Sequence, residues 1–299
     1  MRLYHPIIYI CSPKSVWVNK LKIFTLYWCF REIMSKKALS FLTVLMVVVL
    51  FSNCSEYYKI QKSNNYGLKY EKAKAYYDYE DYYHAKALLD EVVNVFRGSD
   101  KAEESMMLYA YCHYKMHDYT MGAYYFDSFC KTFPYSDRYE ESCFMVAQCY
   151  YKESPRVELD QACTQKAIDA MQTYINKYPQ GEHLHEANEV IKEMRGKLEE
   201  KSFLTAKLYF KLGEYQSATI TLKNSLKEYP DTKYREELMY MMVKSNFLLA
   251  SNSVESKKAE RYQNTVTEYY SFIDEFPESQ YIPEIENMYK QSVDKIKNL

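Results

Sequence analysis

The chain has 299 residues, 47% of them hydrophobic, with only six glycines and eight prolines, which excludes disorder as the main state and leaves one large domain or a repeat array. Lys plus Arg (39) nearly balances Asp plus Glu (40), so no basic field draws the protein to phosphate backbones, which argues against nucleic acid as a partner. The outlying number is 34 tyrosines; each joins a large contact face to a hydroxyl that can stay wet or meet a partner, a composition suited to an extended, much-exposed surface.

Residues 1–33 carry Arg2, Lys14, Lys20, Lys22 and Arg31 among aromatic residues. No known export signal sets such a stretch ahead of a second signal, so it reads as an over-extended gene start outside the mature protein. From Met34 the sequence MSKKALSFLTVLMVVVLFSNCS has two lysines, an apolar run from Ala38 to Phe51 and a cysteine at 54. That run is too short for a comfortable membrane span and reads as a signal peptide over 34–53. A cysteine directly after it resembles the bacterial lipoprotein signal, which implies a covalent lipid on Cys54 and a tether over 54–66.

Beyond the tether one phrase keeps returning: FPYSD from Phe133, YPQGE from Tyr178, YPDTK from Tyr229 and FPESQ from Phe276. An aromatic ends a helical run, then Pro134, Pro179, Pro230 or Pro277 stops it for want of an N–H, and a small or acidic residue can cap the next helix. Phe96 is a fifth anchor without the proline. Eleven positions before the anchors stand Ala85, Gly122, Ala167, Ala218 and Thr265; seven before stand Leu89, Phe126, Met171, Leu222 and Tyr269; three before stand Val93, Cys130, Ile175, Leu226 and Ile273. These spacings put one apolar face on a helix of about fourteen residues, with a small residue where helices must approach closely. Another helix precedes each, ending in a turn such as LGEY or MHDY. The pattern looks like the tetratricopeptide repeat. It implies an all-α superhelix of about five helix-turn-helix units, with repeats 1–3 over 67–181 and repeats 4–5 plus a capping helix over 182–299.

Catalytic chemistry finds little footing. His113 and His117 share a helix face and His183 and His185 flank Leu184, but no third ligand converges by sequence, so they read as surface or turn histidines and no metal is expected. No Gly-x-Ser-x-Gly elbow occurs. The pairs Glu103–Glu104, Glu140–Glu141 and Glu236–Glu237 open helices, where they complement the dipole. An enzyme is not expected, nor any cofactor besides the lipid. With Cys11, Cys29 and Cys54 set aside, five cysteines remain. Cys112 and Cys149 hold equivalent repeat positions, so neighbouring helices keep them about 10 Å apart, beyond reach of a disulfide. Buried free thiols are expected. The stretches AYYDYEDYY, LYAYCHY and AYYFDSF hold more tyrosines than a core requires. The first helix of each unit lines the inner surface of such a superhelix, so Tyr76, Tyr79, Tyr109, Tyr111 and Tyr114 are candidates for an aromatic groove that takes an extended peptide.

A lipoprotein signal followed by YYKIQKSNNYGLKYEKAKAYYDYEDYYHAKALLDEVV, FRGSDKAEESMMLYAYCHYKMHDYTMGAYYFDSFCKTFP, SPRVELDQ and YPDTKYREEL, in that order, resembles the BamD family of outer-membrane assembly lipoproteins in its Bacteroidetes-like form. The resemblance runs from Cys54 to the C-terminus. It implies a scaffold anchored at the periplasmic face of the outer membrane. Its N-terminal repeats would receive unfolded outer-membrane β-barrel proteins, and its C-terminal repeats would dock on a BamA-like barrel-forming subunit. A periplasmic adaptor for cell-wall or division machinery would share the repeats. A sugar-capturing lipoprotein would want tryptophan platforms, and Trp17 and Trp28 both precede Cys54.

Overall fold

The computed structural model describes residues 57–298. The expected leader, signal peptide and Cys54 lie outside them. The chain divides into two compact units at Glu71. The described part of the first is a helical turn at 57–61 and the opening of α1 (Tyr66–Asp78). Asn65 starts that helix by accepting the Leu68 N–H on its side chain at 3.0 Å.

The second unit runs on through α2 (Tyr82–Val95), α3 (Ala102–Lys115), α4 (Tyr119–Thr132), α5 (Tyr139–Glu153), α6 (Ala162–Lys177), α7 (Leu184–Lys211), α8 (Tyr215–Glu228), α9 (Arg235–Ser251), α10 (Glu255–Glu275) and α11 (Ile282–Lys297). From α2 onward each helix packs on the next, α7 also meets α9, and α9 also meets α11. That is the stacking of a tetratricopeptide-type solenoid, in which no helical hairpin covers its own apolar face. The described residues form no strand.

Within a hairpin the turn is built the same way three times. Glu80, His117 and Gly213 take left-handed φ of 60°, 63° and 77°. In two of these turns an aspartate caps the next helix: Asp81 accepts the His84 N–H and Asp118 the Met121 N–H. Only glycine adopts that backbone without steric cost. The fifth hairpin departs from this scheme. Tyr82, Tyr119 and Tyr215, each fourteen positions before its anchor aromatic, open helices, but at the same offset Tyr262 does not: α10 starts at Glu255, after Val254 in extended backbone. Its turn lacks the left-handed residue, so the helix begins earlier and Tyr262 lies inside it.

Between hairpins the proline phrase sets one geometry four times. Phe133, Tyr178, Tyr229 and Phe276 have φ from −124° to −128° and ψ from 64° to 73°, outside the α region, as the clash with a following proline ring requires. The next helix is then entered through a hydroxyl. Ser136, Thr232 and Ser279 accept the N–H two residues on, at 3.2, 3.2 and 3.1 Å. The boundary after Tyr178 has Gly181 instead, and the Tyr174 hydroxyl accepts the His183 N–H at 3.3 Å. A Cβ at Gly181 would overlap that hydroxyl and the Glu140 carboxylate. Glycine there makes room for a borrowed hydroxyl.

The small positions lie at helix contacts: Ala85, Ala167, Ala218 and Thr265 are fully buried. A Cβ on buried Gly122 would come within 3.1 Å of the Cys149 sulfur. Around them Met107, Phe126, Phe129, Phe144 and Met171 form the core of the α3–α7 region, and Leu222, Leu238 and Met241 that of α7–α9.

The first helices of successive hairpins are joined by a ladder that the sequence reading missed. Glu104, Glu141, Glu186, Glu237 and Glu284 each lie in the first turn of a helix. Each accepts from the first helix of the preceding hairpin: Lys74 to Glu104 at 2.5 Å, Tyr111 to Glu141, Gln148 to Glu186 at 2.6 Å, Lys207 to Glu237 at 2.7 Å, and both Tyr240 and Lys244 to Glu284 at 2.7 Å. The helix-opening carboxylates thus complement a dipole and also set how one hairpin sits on the next.

Candidate peptide-binding surface

The five candidate tyrosines do not share one face. Tyr109 and Tyr111 are two positions apart on α3, about 200° around the helix, so they look in nearly opposite directions. Tyr109 is buried, donates to the Asp90 carboxylate at 2.6 Å and meets Tyr125 and His113 edge-on. Tyr111 turns toward α5, where it donates to Glu141 and lies edge-on to Phe126. Tyr114 packs against Tyr119, and Tyr76 against His84. Tyr79, just past α1, is 84% exposed. Burial first, then the bonds to Asp90 and Glu141, pushes the Tyr109 and Tyr111 phenols far above their ordinary range. They stay protonated donors at any physiological pH.

A groove of about 620 Å³ lies beside Tyr109, between α2, α3 and α4. Tyr109, Tyr124, Tyr125 and Met106 supply its aromatic and apolar wall, and Asp90 and Arg97 its charged groups. Tyr124 is 60% exposed. Of the five predicted residues only Tyr109 lines it. Tyr124 and Tyr125 belong to AYYFDSF, which the tyrosine excess marks, but both stand on a second helix, whereas the rule that first helices line the inner surface points only to first ones. Two more grooves, of about 410 and 520 Å³, lie at the α9–α11 end and between α6, α7 and α8.

His113, His117 and His183 serve structure. His117 is the left-handed turn residue, with its ring 2.6 Å from the Tyr119 hydroxyl, and His183 stacks on Phe144 at 4.0 Å. His113 is not at the surface as expected: it is 2% exposed and bound through Nδ1 to Asp118 at 2.8 Å. Asp118 reaches back from the turn, so a residue on the polar side of the pattern is drawn into the core; burial, outweighing Asp118, lowers the pKa of the ring. Among the described residues no three His, Cys, Asp or Glu side chains gather as a metal site, and no helix is long and apolar enough to cross a membrane.

Residues 64–261 match the model of the YfiO family, described as an outer membrane lipoprotein. The chain belongs to that family. No curated protein matches it. Among solved structures it is similar to the TPR2AB domain of yeast Sti1 in complex with pHSP90, with 13% identity over 76% of this chain and 98% of that one and a TM-score of 0.36. It is also similar to the P58(IPK) TPR domain, with 14% identity over 90% of this chain and 72% of that one and a TM-score of 0.37. For a YfiO-family member built of stacked helical hairpins, protein–protein scaffolding at the outer membrane is the general role.

Proposed function

We propose that the protein is a lipid-anchored scaffold of outer-membrane β-barrel assembly, held at the periplasmic face through Cys54. Its N-terminal hairpins take up unfolded barrel proteins and its C-terminal hairpins dock on a BamA-like subunit. One observation carries this reading: the α2–α4 groove, in a member of an outer membrane lipoprotein family. An extended strand leaves backbone polar groups unpaired and presents apolar side chains on alternate positions. Tyrosine faces match the apolar side chains, while hydroxyls, the Asp90 carboxylate and the Arg97 guanidinium match the polar groups. A lipid on Cys54 concentrates this groove where insertion takes place.

The test is photocrosslinking from position 124 in the envelope, followed by mass spectrometry of the captured peptides. C-terminal strands of outer-membrane barrel proteins are expected, with Arg97→Glu reducing capture severalfold. Capture of cell-wall synthases or division proteins at the same position would replace this reading with the adaptor alternative.

A further inference from the structure

The α4–α5 boundary carries a feature that scaffolding leaves unused. Cys130, near the end of α4, and Cys143, in the second turn of α5, bring their sulfurs to 3.3 Å. Of the five cysteines in the described residues, all unbridged, these alone contact each other. Cys112 and Cys149 are fully buried, and burial pushes both thiols up to about 12. The expectation of buried thiols fails for Cys143 and Cys163, which are only partly buried. It missed the pair because the two residues belong to different positions of the repeat and meet only when the proline turn folds α5 back along α4.

We propose that Cys130 and Cys143 are a redox-active pair that closes into a disulfide across the 133–138 turn. A disulfide spans about 2.05 Å, so the sulfurs need approach by only about 1 Å. Cys143 is the attacking group, being the more accessible. Its thiol is drawn down to about 7, chiefly by the hydrogen bond with Cys130 and further, against burial, by Tyr139 and Lys177. The same contact, with burial, pushes the Cys130 thiol up. The oxidant is a disulfide of small-molecule or protein origin, R–S–S–R. The Cys143 thiolate attacks one of its sulfurs and releases one thiolate. Cys130 then gives its proton to solvent and attacks the mixed disulfide, releasing the second. Two protein thiols become one disulfide and the oxidant becomes two thiols. The proposal rests on the outer-membrane reading, because compartments beyond the cytoplasm sustain such bonds. Thr132 and Phe133, which line the α2–α4 groove, lie within the loop it closes.

The experiment equilibrates the purified full-length protein with oxidised glutathione, blocks free thiols by alkylation and maps peptides without reduction. The expected product links the peptides of Cys130 and Cys143, reverts with dithiothreitol, and slows amide exchange over 131–142 by up to about a hundredfold, as closure of a loop of this length allows. The C112S/C149S variant should form the link unchanged. Alkylation of both cysteines after oxidation, or a terminal glutathione adduct on Cys143, would overturn the proposal. Fractionation of cells is scored apart from this. A cytoplasmic chain would defeat the outer-membrane reading, while the glutathione result still decides the pair.

Discussion

The boundary after α6 and the boundary after α8 reach the same geometry with different residues. After α8, Thr232 supplies its own hydroxyl: it accepts the Tyr234 N–H and donates to Glu199 at 2.5 Å. After α6, Gly181 has no side chain, and Tyr174 supplies the hydroxyl from inside the helix, accepting from His183 and donating to Glu140 at 2.8 Å. Both boundaries then stack the residue at the next helix start on an aromatic of the preceding first helix, His183 on Phe144 and Tyr234 on Phe203. What is held constant is a hydroxyl at one point in space. The residue that brings it is free to vary, provided its neighbour yields the room.

The largest effect should come from breaking that arrangement at Gly181. Gly181→Ala places a methyl against the Tyr174 hydroxyl and the Cβ of Tyr178, and should destabilise the α6–α7 junction by about 2 kcal/mol, read by denaturant unfolding. Tyr174→Phe should cost about 1–2 kcal/mol by leaving the His183 N–H and the Glu140 carboxylate short of a partner. The double variant G181S/Y174F rebuilds the Thr232 solution, and its cost should fall below the sum of the costs of Gly181→Ser alone and Tyr174→Phe alone by about 1 kcal/mol or more. Strict additivity would show that the two boundaries are not equivalent.

A smaller effect separates the turns within hairpins. Gly213→Ala should cost about 1 kcal/mol, whereas Glu80→Gly, at a left-handed residue that already bears a side chain, should leave stability unchanged or raise it by a few tenths to about 1 kcal/mol. Thermal unfolding of the two variants gives the sign. If Glu80→Gly is as costly as Gly213→Ala, the Glu80 side chain does more than occupy a turn.

These contrasts mark how far the sequence could be read. Periodicity, small positions and the four prolines are local signals, so the all-α repeat architecture and most hairpin boundaries were legible. The ladder was not. Lys74, Tyr111 and Lys207 each reach 30 residues ahead, but Gln148, Lys244 and Tyr240 reach 38, 40 and 44, and the donor alternates between charged and neutral side chains, so neither a fixed spacing nor a residue type reveals the series. The groove was half legible: the tyrosine excess pointed to it, but only the fold shows that Tyr109 belongs with Tyr124 and Tyr125 rather than with Tyr111. His113 was misread because Asp118, its partner, serves first as a cap.

The smallest predicted effect distinguishes the rungs of that ladder. Tyr111 offers Glu141 a neutral phenol, whereas Lys207 and Lys244 offer Glu237 and Glu284 a charge, from side chains 31% and 28% exposed. Screening acts on attraction between partly exposed charges, so about 1 M salt should weaken the lysine rungs by less than about 1 kcal/mol each. Amide exchange in the opening turns of α9 and α11 should speed about two- to fivefold, with a smaller change in that of α5. Acid should not discriminate. Lys244 first, with Tyr240 helping against burial, holds the Glu284 carboxyl below its ordinary value. Burial pushes Glu141 up, but Arg138 and Tyr111 together outweigh it and bring it below as well. A depressed carboxylate contributes stability that is fully present above its unfolded value, about 4.3, and is lost as pH falls through the folded one. Both kinds of rung should therefore open together below about pH 4. Equal response to salt at α5 and α11 would mean that Arg138, which also pairs with Glu141 at 3.0 Å, rather than the phenol, holds that rung.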